Sequence, residues 1–186
     1  MDMEIFMKVL GVTGMPGSGK SIFLDTAIEK SAVVVSMGDI IREKAKERGE
    51  DTGTTAKKIR EEFGQYIVSE LTVERIKEIL KGDIEADFIL VDGIRSPYEI
   101  EMFKENFDNF SSVSVFACAE TRFERLVLRN RADDPENYDE FLVRDKRELG
   151  FGLGEVIATA DFLFVNESSL EDFQQQVRQF MDTQMD

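Results

Sequence analysis

Gly14-Met15-Pro16-Gly17-Ser18-Gly19-Lys20-Ser21 is the stretch that decides the fold, because it is a complete G-x-x-x-x-G-K-[ST] pattern. An apolar run, Ile5–Val12, precedes it and predicts a buried strand, and residues 20–30 follow with the apolar spacing of a helix. A strand, a glycine-rich turn and a helix in this order direct successive backbone N–H groups at one phosphate group. The sequence therefore predicts a phosphate-binding loop, in preference to a glycine-rich turn with a chance lysine.

Each part of this phosphate loop (residues 14–21) has a physical role in holding a nucleoside triphosphate. Its glycines let the chain curl around oxyanions without a Cβ in the way. Lys20 can reach the β- and γ-phosphates, and the Ser21 hydroxyl can bind Mg²⁺. A second metal-binding side chain is expected at the end of another buried strand, and Asp92 ends the apolar run 88–92. We therefore predict ATP and Mg²⁺ as cofactors; a turn or helix cap is the alternative role for Asp92.

Composition excludes several other classes of protein. The net charge of −15, from 23 basic and 38 acidic residues, argues against a nucleic-acid partner, which needs clustered Lys and Arg. There is no apolar run long enough to cross a membrane, and the N-terminal apolar segment leads into the phosphate loop as a strand. No histidine is present, so catalysis by a histidine acid or base is excluded. None of these patterns specifies an oligomeric state.

The single cysteine, Cys118, lies in the apolar run 113–119 and is predicted to be a buried small side chain in a reducing, cytoplasmic setting. The length of 186 residues favours one domain, 1–186.

Apolar, β-branched runs alternate with helical patterns along the whole chain. Strands are predicted over 5–12, 32–36, 88–92, 113–119 and 162–165, and helices over 20–30, 38–48, 54–81 with a break near Gly64, 97–107, 120–130, 137–149 and 169–182. This alternation predicts a P-loop NTPase fold, a three-layer α/β/α arrangement around a five-stranded parallel sheet covered on both faces. Two segments are long enough to be mobile, 38–81 (the flap) and about 130–150 (the lid), and the glycines in 150–154 predict a hinge.

Arginines cluster near the predicted strand ends, where ligands of open α/β sheets bind. Arg42 follows the second strand and Arg95 follows the third, while Arg125 and Arg129 share one face of a later helix. Further arginines lie in the lid, at positions 131, 144 and 147. Transfer of a phosphoryl group between two small molecules needs such converging positive charge. The alternative for each arginine alone is a solvated helix face.

These motifs, in this order, resemble the adenylate kinase type of nucleoside monophosphate kinase. The motifs are the phosphate loop, Ser36-Met37-Gly38-Asp39-Ile40-Ile41-Arg42, Val91-Asp92-Gly93-Ile94-Arg95 and Arg131-Ala132-Asp133-Asp134. The segment 160–171 is similar to the close of dephospho-CoA kinases. The chain as a whole, including 150–155, looks most like an archaeal group of P-loop kinase-like proteins related to both.

The resemblance implies a role for each matching residue. Asp39 and Arg42 match an acceptor-binding segment, and Arg95 matches an arginine that contacts the acceptor phosphate. Arg125 or Arg129 matches the arginine on the donor adenine or its phosphates, and Arg131 and Arg144 match lid arginines that close over the transferred group. The chain departs from the pattern in its short lid insertion, 130–137 at most, in Ile94-Arg95 where Pro-Arg is usual, and in the flap over 43–81.

The resulting hypothesis is a small-molecule kinase that transfers the γ-phosphate of ATP to a nucleotide-like acceptor, a nucleoside monophosphate or dephospho-CoA. The predicted catalytic residues are Lys20, Arg95, Arg131 and Asp39, the acceptor site is Asp39, Arg42, Arg95 and Arg144, the nucleotide site is 14–21 with Arg125 and Arg129, and the metal ligands are Ser21 and Asp92. Asp39 would be the base for a hydroxyl acceptor; its alternative is a helix N-cap. The alternative function is a regulatory ATP-binding switch or slow ATPase that acts on a protein partner.

Overall fold

The computed structural model of the chain describes residues 7–82, 84–131 and 133–185. Its strands are β1 (Lys8–Thr13), β2 (Ala32–Ser36), β3 (Phe88–Asp92), β4 (Phe110–Phe116) and β5 (Phe162–Val165). They form one sheet in the order β2-β3-β1-β4-β5, and every pair of neighbours is parallel. This confirms the predicted five-stranded parallel sheet.

Helices connect the strands and cover the sheet. They are α1 (Lys20–Ile28), α2 (Met37–Arg48), α3 (Thr52–Phe63), α4 (Ile67–Leu80), α5 (Pro97–Asn106), α6 (Ala119–Arg129), α7 (Tyr138–Gly150), α8 (Leu153–Ala158) and α9 (Leu170–Met185). Helices α1 and α9 pack on one face of the sheet around Phe23, Leu90 and Phe173, and α4, α5 and α8 pack on the other around Ile76 and Phe103. The three-layer prediction is confirmed.

Local sequence signals explain several element boundaries. The Ser36 Oγ accepts a hydrogen bond from the Asp39 N–H and so caps α2 at its N-terminus. Ser96 and Glu99 form a reciprocal capping box at the start of α5, with Pro97 in its first turn. The predicted break in 54–81 is confirmed, because Gly64 ends α3 with a φ of 101° that favours glycine.

The fourth strand lies three residues earlier than predicted. Residues 113–119 were expected from their apolar character, whereas β4 spans Phe110–Phe116 and pairs with β1 from Val9↔Phe110 onward. The polar Ser112 is buried in this strand because its N–H and Oγ both donate to Asp161 Oδ2, at 2.8 and 2.7 Å. The Asp161 carboxylate, which is distant in sequence, therefore accepts the hydrogen bonds that allow this polar residue to be buried in a strand.

Other boundaries also differ from the sequence prediction. Residues 5 and 6 of the first predicted strand lie outside the described residues, and β1 begins at Lys8 and includes Thr13. Cys118 was predicted to be buried but is exposed, because β4 has already ended and Cys118 is the N-cap position of α6. The predicted hinge at 150–154 includes the start of a short helix, α8, which contacts β4 and has Leu153 and Val156 buried.

Two surface properties complete the fold. In the described ranges no helix combines the length and the apolar character needed to span a membrane. Strand β5 is an edge strand, and it buries Phe162 and Phe164 against α9 while Leu163 and Val165 are half exposed on its other face. Coverage of both faces, as predicted, therefore holds for the centre of the sheet but not for this edge.

Candidate functional site

The phosphate loop joins the end of β1 to the start of α1, as the sequence predicts. Gly17 and Gly19 have φ angles of 84° and 97°, in the left-handed region that favours glycine. A Cβ on Gly17 would lie 2.7 Å from the Arg122 carbonyl oxygen, and a Cβ on Gly19 would overlap the Asn166 side chain. The loop therefore has the cradle shape in which backbone N–H groups surround an anion.

Two side chains from neighbouring elements hold this loop in place. Asn166, at the end of β5, is buried and donates from Nδ2 to the Ser18 carbonyl oxygen at 2.8 Å. Arg125 of α6 donates from Nη2 to the Asn166 carbonyl oxygen at 2.9 Å and from Nη1 to that of Ser18 at 3.5 Å. The sequence assigned Arg125 to the nucleotide site, but it gave neither residue a role in supporting the loop.

Lys20 and Asp92 form an ion pair across the base of the loop, with Lys20 Nζ bonded to Asp92 Oδ1. Asp92 is the last residue of β3, and Ser21 is exposed in the first turn of α1. No cluster of three metal-binding side chains exists in the part of the chain that the structure describes. A hydroxyl and one carboxylate still suit Mg²⁺, which proteins commonly hold with one or two side chains together with substrate phosphates.

The phosphate loop opens into a cleft of about 800 Å³. This volume lies in the upper part of the range typical for ligand sites. Its lining includes residues 14–21, Asp92, Arg95, Arg125, Arg129, Arg131, Arg144, Arg147, Glu148 and Asn166. One cleft therefore brings together most of the side chains that the sequence singled out, from five separate segments of the chain.

Asp39 and Arg42 do not line this cleft. They bond to each other on the exposed side of α2, through a carboxylate and a guanidinium that are each 60% exposed. Ser36 rather than Asp39 caps α2, so the alternative role of Asp39 as a helix N-cap is wrong. Their assignment to the acceptor site stays a prediction.

Arg129 of α6 and Arg144 of the lid bond to two aspartates of the lid tip, Asp133 and Asp134. Arg129 Nε donates to Asp134 Oδ2 at 2.9 Å, and Arg144 Nη1 donates to Asp134 Oδ1 at 3.1 Å. The Asp134 side chain is only 2% exposed, and Arg129 above all holds its pKa well below the usual range, with further help from the Arg131 N–H and from Arg144. Arg144 also donates to the carbonyl oxygen of Asp133 at 2.7 Å. These ion pairs and hydrogen bonds therefore hold the lid tip against α6 and α7.

Glu148 is a functional candidate that the sequence analysis missed. This residue of α7 is 4% exposed and lines the cleft between Arg95 and Arg147. Its Oε1 accepts from Arg147 Nη2 at 3.0 Å, and its Oε2 lies 3.4 Å from Arg95 Nη1. In sequence it resembles an ordinary surface residue in a charged helix; its spacing of four from Arg144, on one helix face, was the only available signal.

Comparison with known proteins places the chain in a family. The profile of the AAA domain family matches residues 13–141. A UPF0200 protein of Methanothermobacter thermautotrophicus is 48% identical over 175 residues, which cover 94% of this chain and 90% of that protein. A UPF0200 protein of Methanocaldococcus jannaschii is 43% identical, covering 89% of this chain and 85% of that protein.

Solved structures show the same fold at low sequence identity. The protein TT1252 from Thermus thermophilus superimposes with a TM-score of 0.67 at 17% identity and covers 95% of this chain and 97% of its own. Shikimate kinase from Bacteroides thetaiotaomicron superimposes with a TM-score of 0.61 at 15% identity and covers 94% and 98%. With the phosphate loop and sheet order described above, these matches show that the chain belongs to the archaeal UPF0200 family and has a P-loop kinase-like fold.

Proposed function

We propose that this protein is an ATP-dependent small-molecule kinase, which transfers the γ-phosphate of ATP to a nucleotide-like acceptor such as a nucleoside monophosphate or dephospho-CoA. The observation that carries the proposal is the composition of the cleft. The phosphate loop forms one wall, and Arg95, Arg131, Arg144 and Arg147 line the same cavity. A site that only binds ATP needs positive charge for one set of phosphates, whereas transfer between two molecules needs it for the acceptor as well.

On the donor side, the backbone N–H groups of residues 14–21 would bind the phosphates and Lys20 would exchange its bond to Asp92 for one to the β- and γ-phosphates. Such an exchange would leave the Asp92 carboxylate free for the metal. Mg²⁺, when bound, supplies a charge that neutralises the phosphate oxygens, and Ser21 and Asp92 would hold it. Arg125 and Arg129, at the loop side of α6, would contact the adenosine or its phosphates.

On the acceptor side, Arg95 follows β3 at the edge of the cleft and would bind an anionic group of the acceptor. A role for Arg131 in transfer is supported because this residue lines the cleft and its side chain has no carboxylate within 4 Å among the described residues. Arg42 and Asp39 lie on α2 outside the cleft lining. Their participation would require the flap, 38–81, to close, and such closure excludes water from the transfer step.

The switch or slow ATPase hypothesis predicts a different use of the cleft. A protein that senses or hydrolyses ATP has no need of a second anion-binding wall. Arg95 comes from the loop after β3 and Arg147 from α7, rather than from the donor elements α1 and α6, and Glu148 contacts both. This arrangement favours a second substrate.

The proposal is tested by measuring ADP release with nucleoside monophosphates, dephospho-CoA and related acceptors, each against a reaction without acceptor. We expect one class of acceptor to raise ADP release well above that background. Arg95→Ala should remove the stimulation while leaving the affinity for ATP within about twofold, since among the described residues Arg95 forms no hydrogen bond with the phosphate loop. Arg178→Ala is the matched control, because Arg178 pairs with Glu29 on the exposed surface, outside both the flap and the cleft lining.

The opposite result is also clear. If no acceptor raises ADP release, and if Arg42→Ala and Arg95→Ala leave ATP hydrolysis unchanged, the kinase assignment is overturned and the switch hypothesis replaces it.

A further inference from the structure

Arg122 is a buried charge in α6 that the proposed donor and acceptor sites leave without a role. It is 5% exposed and does not line the cleft, although its neighbours on α6, Arg125 and Arg129, do. Burial of a guanidinium is costly unless several partners satisfy it. The identity of these partners indicates what the residue does.

The Arg122 guanidinium bonds to three separate segments. It forms a bidentate pair with Asp145 of α7, with Nη1 to Oδ1 at 2.8 Å and Nη2 to Oδ2 at 2.5 Å. Its Nη1 also donates to the carbonyl oxygen of Pro16, in the phosphate loop, at 3.2 Å, and its Nε to that of Ala117 at 3.2 Å. The ring of Phe141 lies 5.0 Å below it. Arg122 is therefore held in one orientation, with one donor directed at the loop.

The bond to Pro16 fixes the peptide group between Pro16 and Gly17, two residues that line the cleft. The chain has no cis peptide among the described residues, so the C=O of Pro16 and the N–H of Gly17 point in opposite directions. Holding the carbonyl against Arg122 therefore turns the Gly17 N–H away from the guanidinium, and Gly17 itself lines the cleft. The Arg122 backbone lies so close to Gly17 that a Cβ there would be 2.7 Å from the Arg122 carbonyl oxygen.

Asp145 links this anchor to the lid. It lies on α7, and the same helix contributes Arg144, Arg147 and Glu148 to the cleft lining. A rigid bidentate pair between α6 and α7 therefore connects the phosphate loop to the helix that carries the acceptor-side charges.

We propose that Arg122 is a positioning residue, which aims the Gly17 N–H at the nucleotide phosphates from an orientation set by Asp145 of α7. The inference rests on the proposed function only in requiring that the phosphate loop binds a nucleotide. A purely structural ion pair would stabilise the fold equally but would leave the geometry of bound phosphates unchanged, and that difference makes the two roles separable.

The experiment uses ADP with Mg²⁺ as the probe and compares the wild-type protein with Arg122→Lys, Asp145→Asn, the double variant and Arg178→Lys. Lysine keeps the charge of Arg122 but cannot make the bidentate pair and the bond to Pro16 together. Arg178→Lys is the matched control, because Arg178 pairs with Glu29 on the surface, away from the cleft. Calorimetry gives the affinity for ADP, ³¹P NMR reports the environment of each bound phosphate, and thermal unfolding shows which variants fold.

We expect Arg122→Lys to weaken ADP binding roughly tenfold and to move the β-phosphate resonance of bound ADP toward its position in free ADP. Asp145→Asn should act in the same direction, and it carries the test if Arg122→Lys does not fold. Because both residues act through one peptide, the double variant should lose no more affinity than Arg122→Lys alone. The control should match the wild-type protein.

Folded Arg122→Lys and Asp145→Asn variants with wild-type ADP affinity and an unchanged β-phosphate resonance would overturn the inference. Losses that add in the double variant would overturn the link to α7. A wild-type protein that does not bind ADP would overturn the proposed function itself, and this inference with it.

Discussion

The buried carboxylate of Glu148 lies 3.4 Å from the guanidinium of Arg95 and so joins the lid helix α7 to the loop after β3. The same carboxylate accepts a hydrogen bond from Arg147. The side chains of Arg147 and Arg95 are 62% and 55% exposed. The two arginines can therefore be solvated without their partner, whereas the carboxylate cannot. This asymmetry has a measurable consequence.

Removing both cations from Glu148 should destabilise the protein more than removing the anion. We expect Glu148→Gln to lower the free energy of unfolding by about 1 kcal/mol, and Arg95→Met with Arg147→Met to lower it by about 3 kcal/mol, because the double change leaves a buried charge unpaired. Urea denaturation at pH 7 measures both. Equal losses would show that the carboxylate reaches water when its partners are removed.

Gly19→Ala tests the shape of the phosphate loop. A methyl group there would overlap the Asn166 side chain, and the alanine would have to adopt a φ of 97°. We therefore expect ATP affinity to fall about 100-fold or more and the free energy of unfolding to fall by about 2 kcal/mol. The control is Gly49→Ala at the C-terminus of α2, where φ is 67° and no atom lies within 4 Å of the new methyl group. It should cost about 1 kcal/mol of stability and leave ATP affinity unchanged. Loss of ATP binding in the control, or its retention in Gly19→Ala, would contradict this account.

Asp92→Asn tests the assignment of the metal side of the site. The change removes the carboxylate proposed for Mg²⁺ and the anion that holds Lys20, so ATP affinity measured with EDTA should stay the same or improve. The gain in affinity on adding Mg²⁺ should shrink about tenfold. Calorimetry with and without Mg²⁺ separates these effects, and Asp87→Asn, just before the start of the same strand, is the matched control. A gain from Mg²⁺ that is the same in Asp92→Asn as in the wild-type protein would remove Asp92 from the metal site.

Asp134 predicts a pH dependence of stability. Arg129, with Arg144 and the Arg131 N–H, holds its pKa in the folded protein below the value near 3.9 that is usual for an unfolded chain. Its contribution to stability is therefore fully present at pH 7. It declines as the pH falls below about 4, where the carboxylate becomes protonated in the unfolded chain but stays ionised in the folded protein. We expect Asp134→Asn to lower the free energy of unfolding by about 2 kcal/mol at pH 7 and by clearly less at pH 3.

Urea denaturation at both pH values checks the Asp134 prediction. Asp25→Asn is the control, because Asp25 is exposed on α1 and pairs with no cation among the described residues. A loss in Asp134→Asn that is the same at pH 3 as at pH 7 would show that its hydrogen bonds, rather than its charge, stabilise the lid.

Local chemistry determines the features that the sequence predicts well. The phosphate loop, the break at Gly64 and the parallel sheet follow from glycine conformations and from apolar periodicity, which neighbouring residues alone determine. Features that depend on distant partners were missed or misplaced. Ser112 belongs to β4 because Asp161 satisfies it across 49 residues of chain, and that pairing is invisible to a local pattern.

The residues of the candidate site show the same difference between local signals and long-range partners. Lys20, Asp92 and Arg95 could be named as candidates because each lies in a motif at or after a strand end, and all three line one cleft of the folded chain. Arg122 and Glu148 were missed because their importance comes from burial, and in sequence both resemble the many charged residues of exposed helices. Partners on α7 and in the phosphate loop give them their roles, and only the folded chain brings those partners together.

The destination of the γ-phosphate is the most direct test of the central claim. ³¹P NMR of ATP, Mg²⁺ and wild-type protein, followed in turn with each acceptor of the panel, distinguishes a phosphorylated acceptor from inorganic phosphate. The account predicts that with one class of acceptor the γ-phosphate appears on that acceptor, in step with ADP, and that little inorganic phosphate forms. Release of all the γ-phosphate as inorganic phosphate, whichever acceptor is present, would contradict it.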